Sequence, residues 1–441
     1  MSAGPSRRVL ERPVPGTPPR PRPPHPERWT LPNGLRVLAV RRPSLPQVAL
    51  RVVLPAGAAA DPAGAEGLAS LVGSLLTEGT ESYPGEELNR RLDGLGASLT
   101  AHVGHDFAEV DLLLLGETLS EGVDLLAEVL VRPTFPALEL DRVRAETLDA
   151  LEARLDEPGN VADDRLAETL FGDAHPYARL PLGTEEGVAA SRREALVDFH
   201  RRHYRPAGAV LVVAGDFDPA LLRDLLESSF AGWTGEAERP AYPADPAPPH
   251  GGEAPLYVGW PDAMQSEIRF GGPGMRRASP DWIPAAVANY LLGGSTITGR
   301  LGANLREDKG WTYGVRSGFS AALRPGGWAV ETAVDAEVTD AAIGEIVAEL
   351  TRFLAEPVPA DELRRAKDAL ILSLPRAFET PGRIVSRMAT VEVFGLPEDY
   401  WDTFPDRVES VGREEVIRVA HAYFDPANLV VLAVGPEGAG D

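Results

Sequence analysis

Apolar residues recur along this chain with two periods, and the switches between them mark its elements. Thr30–Arg42 (TLPNGLRVLAVRR) carries an Asn33-Gly34 turn followed by the run Val37 to Val40, the pattern of a β-hairpin. Gln47–Leu54 is a second β-rich run, Pro55–Gly64 a loop of small residues, and Gly67–Leu76 an apolar helix. Strand-like runs fill Ser98–Leu115, including AEVDLLLL. Leu119, Val123, Leu126 and Leu130 then fall at helical spacing, and a long charged helix is expected over Leu138–Leu155. Phe199–Pro219 reads as a helix that turns at Pro206 into a buried strand, with Asp216 expected to cap the helix after it.

The pattern then repeats at a shift of about 216 to 223 residues. Ala137–Leu151 (ALELDRVRAETLDAL) resembles Ala360–Leu374 (ADELRRAKDALILSL). Tyr204-Arg205-Pro206 with AGAVLVVAGD is echoed by Phe424-Asp425-Pro426 with ANLVVLAVGP. Duplication explains matches that keep their order and nearly their spacing. Strands and helices mix without βαβ alternation, which predicts an α+β fold: two homologous halves, each a mainly antiparallel sheet with helices on one face. Pro240, Pro243, Pro246, Pro248 and Pro249 mark the linker between them. The expected organisation is a disordered Pro/Arg-rich tail over 1–27, an N-terminal half over 28–232, a linker over 233–253 and a C-terminal half over 254–441.

Composition narrows the chemistry. The 441 residues carry a net charge of −23, which disfavours binding to nucleic acid. No run approaches the ~18 apolar residues of a membrane helix. Cys is absent, so disulfides, thiolate zinc sites and cysteine nucleophiles are excluded. The lead-in has no apolar core of a secretory signal, so a cytoplasmic location is expected. The sequence contains no GxxxxGK[ST], no GxSxG, no HExxH and no GxGxxG after a strand. His102 and His105, three apart in an expected strand, point to opposite faces, which suits no single metal. His200 and His203 share a helix face without an intervening carboxylate, and packing or capping roles are expected.

One set of strings is specific. GLASLVGSLLTEGT (Gly67–Thr80) with LNRRLDGLGASLTA resembles the active-site helix of the insulinase/pitrilysin-like zinc peptidases, whose motif is H-x-x-E-H. HYRPAGAVLVVAGDFD and LLGGSTITGRLGANLREDKGWTYGV resemble the same family, so the likeness runs from about Thr30 to Pro436. In that register the first His falls at Ser70, the catalytic Glu at Gly73 and the second His at Ser74. The family's distal Glu falls near Ala150 or Leu151, with Glu152 close by. Two imidazoles one turn apart and a distant Glu leave zinc an open position for water, whose proton the motif Glu takes. Hydroxyls and glycine supply none of this, so no metal is expected in this chain.

The resemblance implies more for the second half. Arg306 and Tyr313 in LREDKGWTYGV match a family R-x6-Y pair that is set beside a zinc site from the opposite half or a partner chain. Locally, Leu301–Lys309 is expected as a helix ended by Gly310, and Trp311–Ser320 as a strand. Taken without the family, Arg306 pairs with Glu307 or Asp308 and Tyr313 is core. Gly293, Gly294 and Gly299 form the preceding glycine-rich turn, as backbone geometry or as part of the site. The whole pattern resembles the non-catalytic subunit of bacterial two-chain peptidases, which implies a heterodimer with an H-x-x-E-H subunit that carries the zinc and acts on unfolded peptides. A scaffold of the same fold and a peptide-binding homodimer are the alternatives.

Overall fold

The period-two runs fold into two sheets whose strands follow one order. A computed structural model describes residues 20–245, 254–261 and 263–436. In the first half, β1 (Glu27–Thr30), β2 (Arg36–Arg41), β3 (Gln47–Leu54), β4 (Ser98–Val103), β5 (Ala108–Leu115) and β6 (Val210–Gly215) form a sheet in the order β1-β2-β6-β3-β5-β4. In the second, β7 (Leu256–Gly259), β8 (Gln265–Pro273), β9 (Val315–Phe319), β10 (Gly327–Asp335) and β11 (Val430–Gly435) take the order β7-β11-β8-β10-β9. Setting β1 aside, the two orders are the same. Only β2/β6 and β7/β11 are parallel, and they occupy equivalent places.

The helices follow the repeat. The first half carries α1 (Leu68–Leu75), α2 (Gly85–Gly94), α3 (Leu119–Val131), α4 (Ala137–Arg154), α5 (Pro158–Phe171), α6 (Glu185–Ala190), α7 (Arg193–His203) and α8 (Pro219–Ser229). The second carries α9 (Trp282–Leu292), α10 (Arg300–Gly302), α11 (Thr339–Ala355), α12 (Ala360–Ser373), α13 (Pro381–Val393), α14 (Tyr400–Ser410) and α15 (Arg413–Tyr423). Val48, Leu50, Val52 and Leu54 pack in the core built with the first half's own helices. Ala49 and Val53 of the same strand face the other way, into a core shared with Ile384, Val385 and Met388 of α13. The second sheet repeats this: α5 lies on β8 and β11, with Ala162 against Leu432 and Val434. A Cβ added to Gly271 would stand 2.4 Å from Leu166 Cδ1, so α5 sits on the bare backbone of β8. Each half therefore lends one helix to the other's sheet.

A buried carboxylate joins the halves at the same seam. Asp106, 6% exposed in the β4–β5 turn, accepts from Tyr177 Oη (2.7 Å), Tyr242 Oη (2.6 Å) and Leu323 N (2.8 Å). Arg324 N donates in turn to Tyr177 Oη at 3.1 Å. Burial and the neighbouring Asp106 charge push both phenols up, so they remain donors. Thus the turns β4–β5 and β9–β10, one from each half, meet on a single side chain.

Several local expectations shift. Asp218, not Asp216, caps α8, its Oδ1 accepting from Ala220 N and Leu221 N at 2.9 Å. Pro219 at the first helical position sets the start two residues later than expected. The expected strand over Trp311–Ser320 shortens to Val315–Phe319, because Thr312 Oγ1 accepts from Gly314 N (3.0 Å) and donates to its carbonyl (2.9 Å). Trp233, expected at the head of the linker, is buried in the first half, with Nε1 donating to the Tyr204 carbonyl at 3.0 Å. Residues 246–253 of that linker lie outside the described residues, as does most of the expected tail. Where the tail is described it rests on the second half: Arg20 pairs with Asp406, His25 with Asp402 (3.5 Å), and Arg28 just beyond it with Glu392 (3.3 Å).

Removing the seam carboxylate leaves three donors buried and unpaired. Asp106→Ala is expected to lower unfolding free energy by about 3 kcal/mol or more in denaturant titration, with Asp106→Asn intermediate. A loss below about 1 kcal/mol would show that the seam does not depend on this residue.

Candidate functional site

The helix that resembles a zinc helix begins at Gly67, whose φ of +102° and contact with Leu182 O, 2.6 Å from an added Cβ, exclude any side chain. Asp61 closes its N-terminus, Oδ2 accepting from Gly67 N (2.8 Å) and Oδ1 from Ala69 N (2.7 Å). Burial raises the Asp61 carboxyl to about 7, and the two backbone donors oppose that rise. Glu66 and Arg179 form an ion pair alongside at 2.8 Å.

Ser70, Gly73 and Ser74 share one face of α1, and the first two are engaged by other parts of the fold. Ser70 Oγ donates to the Pro181 carbonyl at 2.5 Å, which ties the Arg179–Gly183 loop across the helix. A Cβ at Gly73 would lie 2.7 Å from Val103 Cγ2, so β4 fills the space a catalytic Glu needs. Ser74 is exposed, as is Glu152, two residues before the end of α4. Among the described residues no group of three or more His, Asp or Glu side chains is placed to hold a metal ion. Zinc does not fit this helix: the two ligand positions carry serine hydroxyls, one of them already bonded, and no third ligand stands nearby among the described residues.

Three of the described histidines bond backbone carbonyls. His200 Nε2 lies 2.9 Å from the Leu130 carbonyl and His203 Nδ1 3.0 Å from that of Glu238. Burial lowers both, His200 to about 4. His105 belongs to the β4–β5 turn rather than a strand, with Nε2 2.9 Å from the Arg179 carbonyl. His102 is exposed on β4.

Arg306 and Tyr313 are brought together. The helix expected over Leu301–Lys309 is α10 followed by a π-helical turn, Ala303–Asp308, closed by Lys309 N donating to Asn304 O. Such turns carry one extra residue and re-aim the side chains after it. Gly310 ends the turn with φ +66°. Arg306 Cζ then stands 5.8 Å from the Tyr313 ring, and its Nε is 3.7 Å from Glu307 Oε1. Tyr313 is 95% exposed, so it is no core residue, and its hydroxyl is free to meet a ligand.

The glycine turn beside this pair owes its glycines to close approach, not to left-handed backbone. A Cβ at Gly293 would meet Ser317 Oγ at 2.6 Å, one at Gly294 the Tyr290 Cα at 2.9 Å, and one at Gly299 the Ser295 carbonyl at 2.7 Å. Gly302, which the sequence reading missed, is tighter still, with Thr296 O at 1.9 Å. Ser317 N donates to Gly293 O (2.9 Å) and Thr296 Oγ1 to Val315 O (3.1 Å), so the turn is stitched to β9. Asp61 and the Pro181 carbonyl were also missed: a cap six residues ahead of its helix and a carbonyl 111 residues away leave no local pattern.

The two candidate features sit beside the end strands of the two sheets. β4 ends the first sheet and packs against α1, and β9 ends the second, where Ser317 N and O and Val315 O are already bonded to the glycine turn and Asn289. An extended peptide could add to the open edge of β4 through main-chain hydrogen bonds.

Known proteins share this arrangement. Residues 36–180 match the family described as Insulinase (Peptidase family M16), and residues 192–370 match Peptidase M16 inactive domain. An uncharacterized zinc protease of Mycobacterium leprae is 27% identical over 400 residues, 89% of this chain and 88% of that protein. Cytochrome b-c1 complex subunit 1 of Bos taurus is 28% identical over 276 residues, 62% of this chain and 57% of that one. The crystal structure of a peptidase M16 inactive domain from Pseudomonas fluorescens superposes with a TM-score of 0.88 at 26% identity, covering 95% of this chain and 99% of that one.

Two outcomes follow from α1. Restoring the motif with Ser70→His, Gly73→Glu and Ser74→His is expected to give no stoichiometric zinc by metal analysis, because no third ligand is in place among the described residues. Because the folded Asp61 carboxyl binds its proton more tightly than the unfolded one, its contribution to stability falls as pH rises from about 4 to about 7. Asp61→Asn should flatten that part of the melting temperature against pH curve, and an unchanged slope would count against a buried, proton-binding Asp61.

Proposed function

The chain belongs to the insulinase-like M16 peptidase family, and we propose that it is the non-catalytic, substrate-binding subunit of a heterodimeric zinc endopeptidase acting on unfolded peptides. The observation that carries this reading is an asymmetry. The helix that would hold zinc has Ser70 bonded to a carbonyl and Gly73 packed by Val103, while Arg306 and Tyr313 stand together with the phenol fully in solvent.

In the complex, Arg306 would hold a substrate carbonyl or carboxylate and Tyr313 would donate to the substrate carbonyl oxygen as negative charge develops on it, while the partner's zinc would supply Lewis acidity. The partner bears H-x-x-E-H and supplies the metal and the base. The edge strand β4 receives the peptide as an added strand, which makes extension matter more than side-chain identity. A cytoplasmic setting accords with this role.

The likeness to cytochrome b-c1 complex subunit 1 favours a second reading, a scaffold within a larger assembly. A scaffold has no chemical use for an exposed phenol beside a guanidinium, which is why the subunit reading comes first.

The deciding experiment follows cleavage of a long fluorogenic peptide by this chain, by an H-x-x-E-H homologue and by their mixture. Activity is expected only in the mixture and should fall at least tenfold with Arg306→Ala or Tyr313→Phe, a loss of about 1.4 kcal/mol of transition-state stabilisation. Full activity of the partner alone, or indifference to both substitutions, would leave the scaffold.

A further inference from the structure

Arg306 and Tyr313 have no side-chain anchor of their own. Among the described residues neither side chain makes a hydrogen bond, and the one carboxylate in contact with Arg306 is that of Glu307, at 3.7 Å. The 5.8 Å between guanidinium and ring is therefore set by the backbone that carries them, the π-helical turn Ala303–Asp308 and the residues just after it. Leu305, fully buried, fixes the middle of that turn in the core. A π-helical turn does not propagate as an α-helix does, so its shape depends on what packs around it.

The outside support comes from α11. Glu345 accepts at Oε2 from Asn304 Nδ2 (3.0 Å) and faces Lys309 Nζ with Oε1 (3.0 Å). Asn304 and Lys309 are also the two residues joined by the bond that closes the turn, Lys309 N to Asn304 O at 3.1 Å. One carboxylate thus spans the same gap as the closing bond. The hydrogen bonds from Asn304 and Lys309 hold its carboxyl below the usual range, so it is ionised at neutral pH. The Lys309 ammonium stands 5.0 Å from the Trp311 ring, and Trp311 N donates back into the turn at Leu305 O (2.9 Å). Past Trp311, Thr312 Oγ1 accepts from Gly314 N (3.0 Å) and lies 3.0 Å from Thr332 Oγ1 on β10. Tyr313 therefore sits on a short segment pinned by Glu345 on one side and by Thr332 on the other.

We propose that Glu345 is a positioning residue for Arg306 and Tyr313: by bridging Asn304 and Lys309 it holds the π-turn closed, so that guanidinium and phenol are presented together to one ligand. What that ligand is rests on the peptidase-subunit reading, whereas the positioning rests on the turn alone. Glu345 touches neither of the two residues it places. Its ion pair with Lys309 is about one-third exposed, and pairs of that kind add little to global stability. Its effect falls on local geometry, where groups ordered before binding lose less freedom when the ligand arrives.

The test has two arms. In the first, the full chain alone is labelled with 3-fluorotyrosine, and the Tyr313 fluorine signal is identified by its loss in Tyr313→Phe. Arg306→Ala gives the shift of that signal without the neighbouring guanidinium. Glu345→Ala is expected to move the signal toward the Arg306→Ala position while the other tyrosine signals stay, which also shows that the variant is folded. Lys309→Met, which opens the bridge from its other end and leaves α11 untouched, should do the same. A Tyr313 signal that stays at its wild-type position in both variants would overturn the proposal. In the second arm, the chain is mixed with an H-x-x-E-H homologue and peptide cleavage is followed. Glu345→Ala is expected to lower kcat/KM at least fivefold in the otherwise native chain and less than twofold in one that already carries Arg306→Ala and Tyr313→Phe. An equal loss in both backgrounds would mean that Glu345 acts elsewhere and would overturn its positioning role. A mixture with no activity at all would remove the peptidase reading, and the fluorine spectra would then decide the positioning by themselves.

Discussion

Each sheet in this protein is apolar on both faces, yet the helices of its own half cover only one. That imbalance governs the rest of the fold. Ala49 and Val53 would face water if α13 did not cross from the second half, and Leu432 and Val434 would do so without α5 from the first. Exposed apolar area of this kind costs roughly 25 cal/mol per Å², so the exchange is a condition of stability for both halves. The polar seam follows from it. Once α5 and α13 have crossed, the β4–β5 and β9–β10 turns are brought edge to edge, and Asp106 satisfies the donors trapped between them.

The exchange also fixes where chemistry can sit. Both ends of the repeat present a helix or turn beside the last strand of a sheet: α1 beside the open edge of β4, and the glycine turn after α9 bonded along β9. The two places have diverged in opposite ways. At the first, Val103 and the Pro181 carbonyl close over the helix face. At the second, a π-turn and four crowded glycines hold an arginine and a tyrosine open to solvent. A symmetric framework thus carries two unlike ends, with an arginine beside a fully exposed tyrosine at only one of them.

Much of this was legible in the sequence, for identifiable reasons. Strand and helix runs such as Gln47–Leu54 and Leu119–Val131 emerged because burial on one or two faces writes its period directly into the chain. The repeat was visible in α4 and α12 because both keep one pattern of charge and leucine. Boundaries set by single side-chain bonds were not visible: Thr312 shortens β9, and Asp218 rather than Asp216 starts α8. The loss of the zinc ligands could be read from three letters, whereas the closure of the space they left depends on Val103, 30 positions on from Gly73 and brought against it only by the fold. The Asp106 seam left no sequence signal, since it joins residues 71 to 217 positions apart. The helix exchange escaped for the same reason, because an amphipathic pattern says that a face is buried and not by which partner.

The exchange of α5 and α13 has a consequence for how the chain comes to be folded. A ribosome delivers residues in order, so the first sheet is complete once β6 has emerged at Gly215, while its covering helix begins only at Pro381. At roughly 5 to 20 residues per second the gap between them amounts to some ten to thirty seconds. Throughout that interval one whole face of a finished sheet stands bare. Apolar residues such as Ala49 and Val53, which the native fold buries under α13, have no cover of their own until that helix is made, so the pairing that secures the native protein joins parts of the chain made far apart in time.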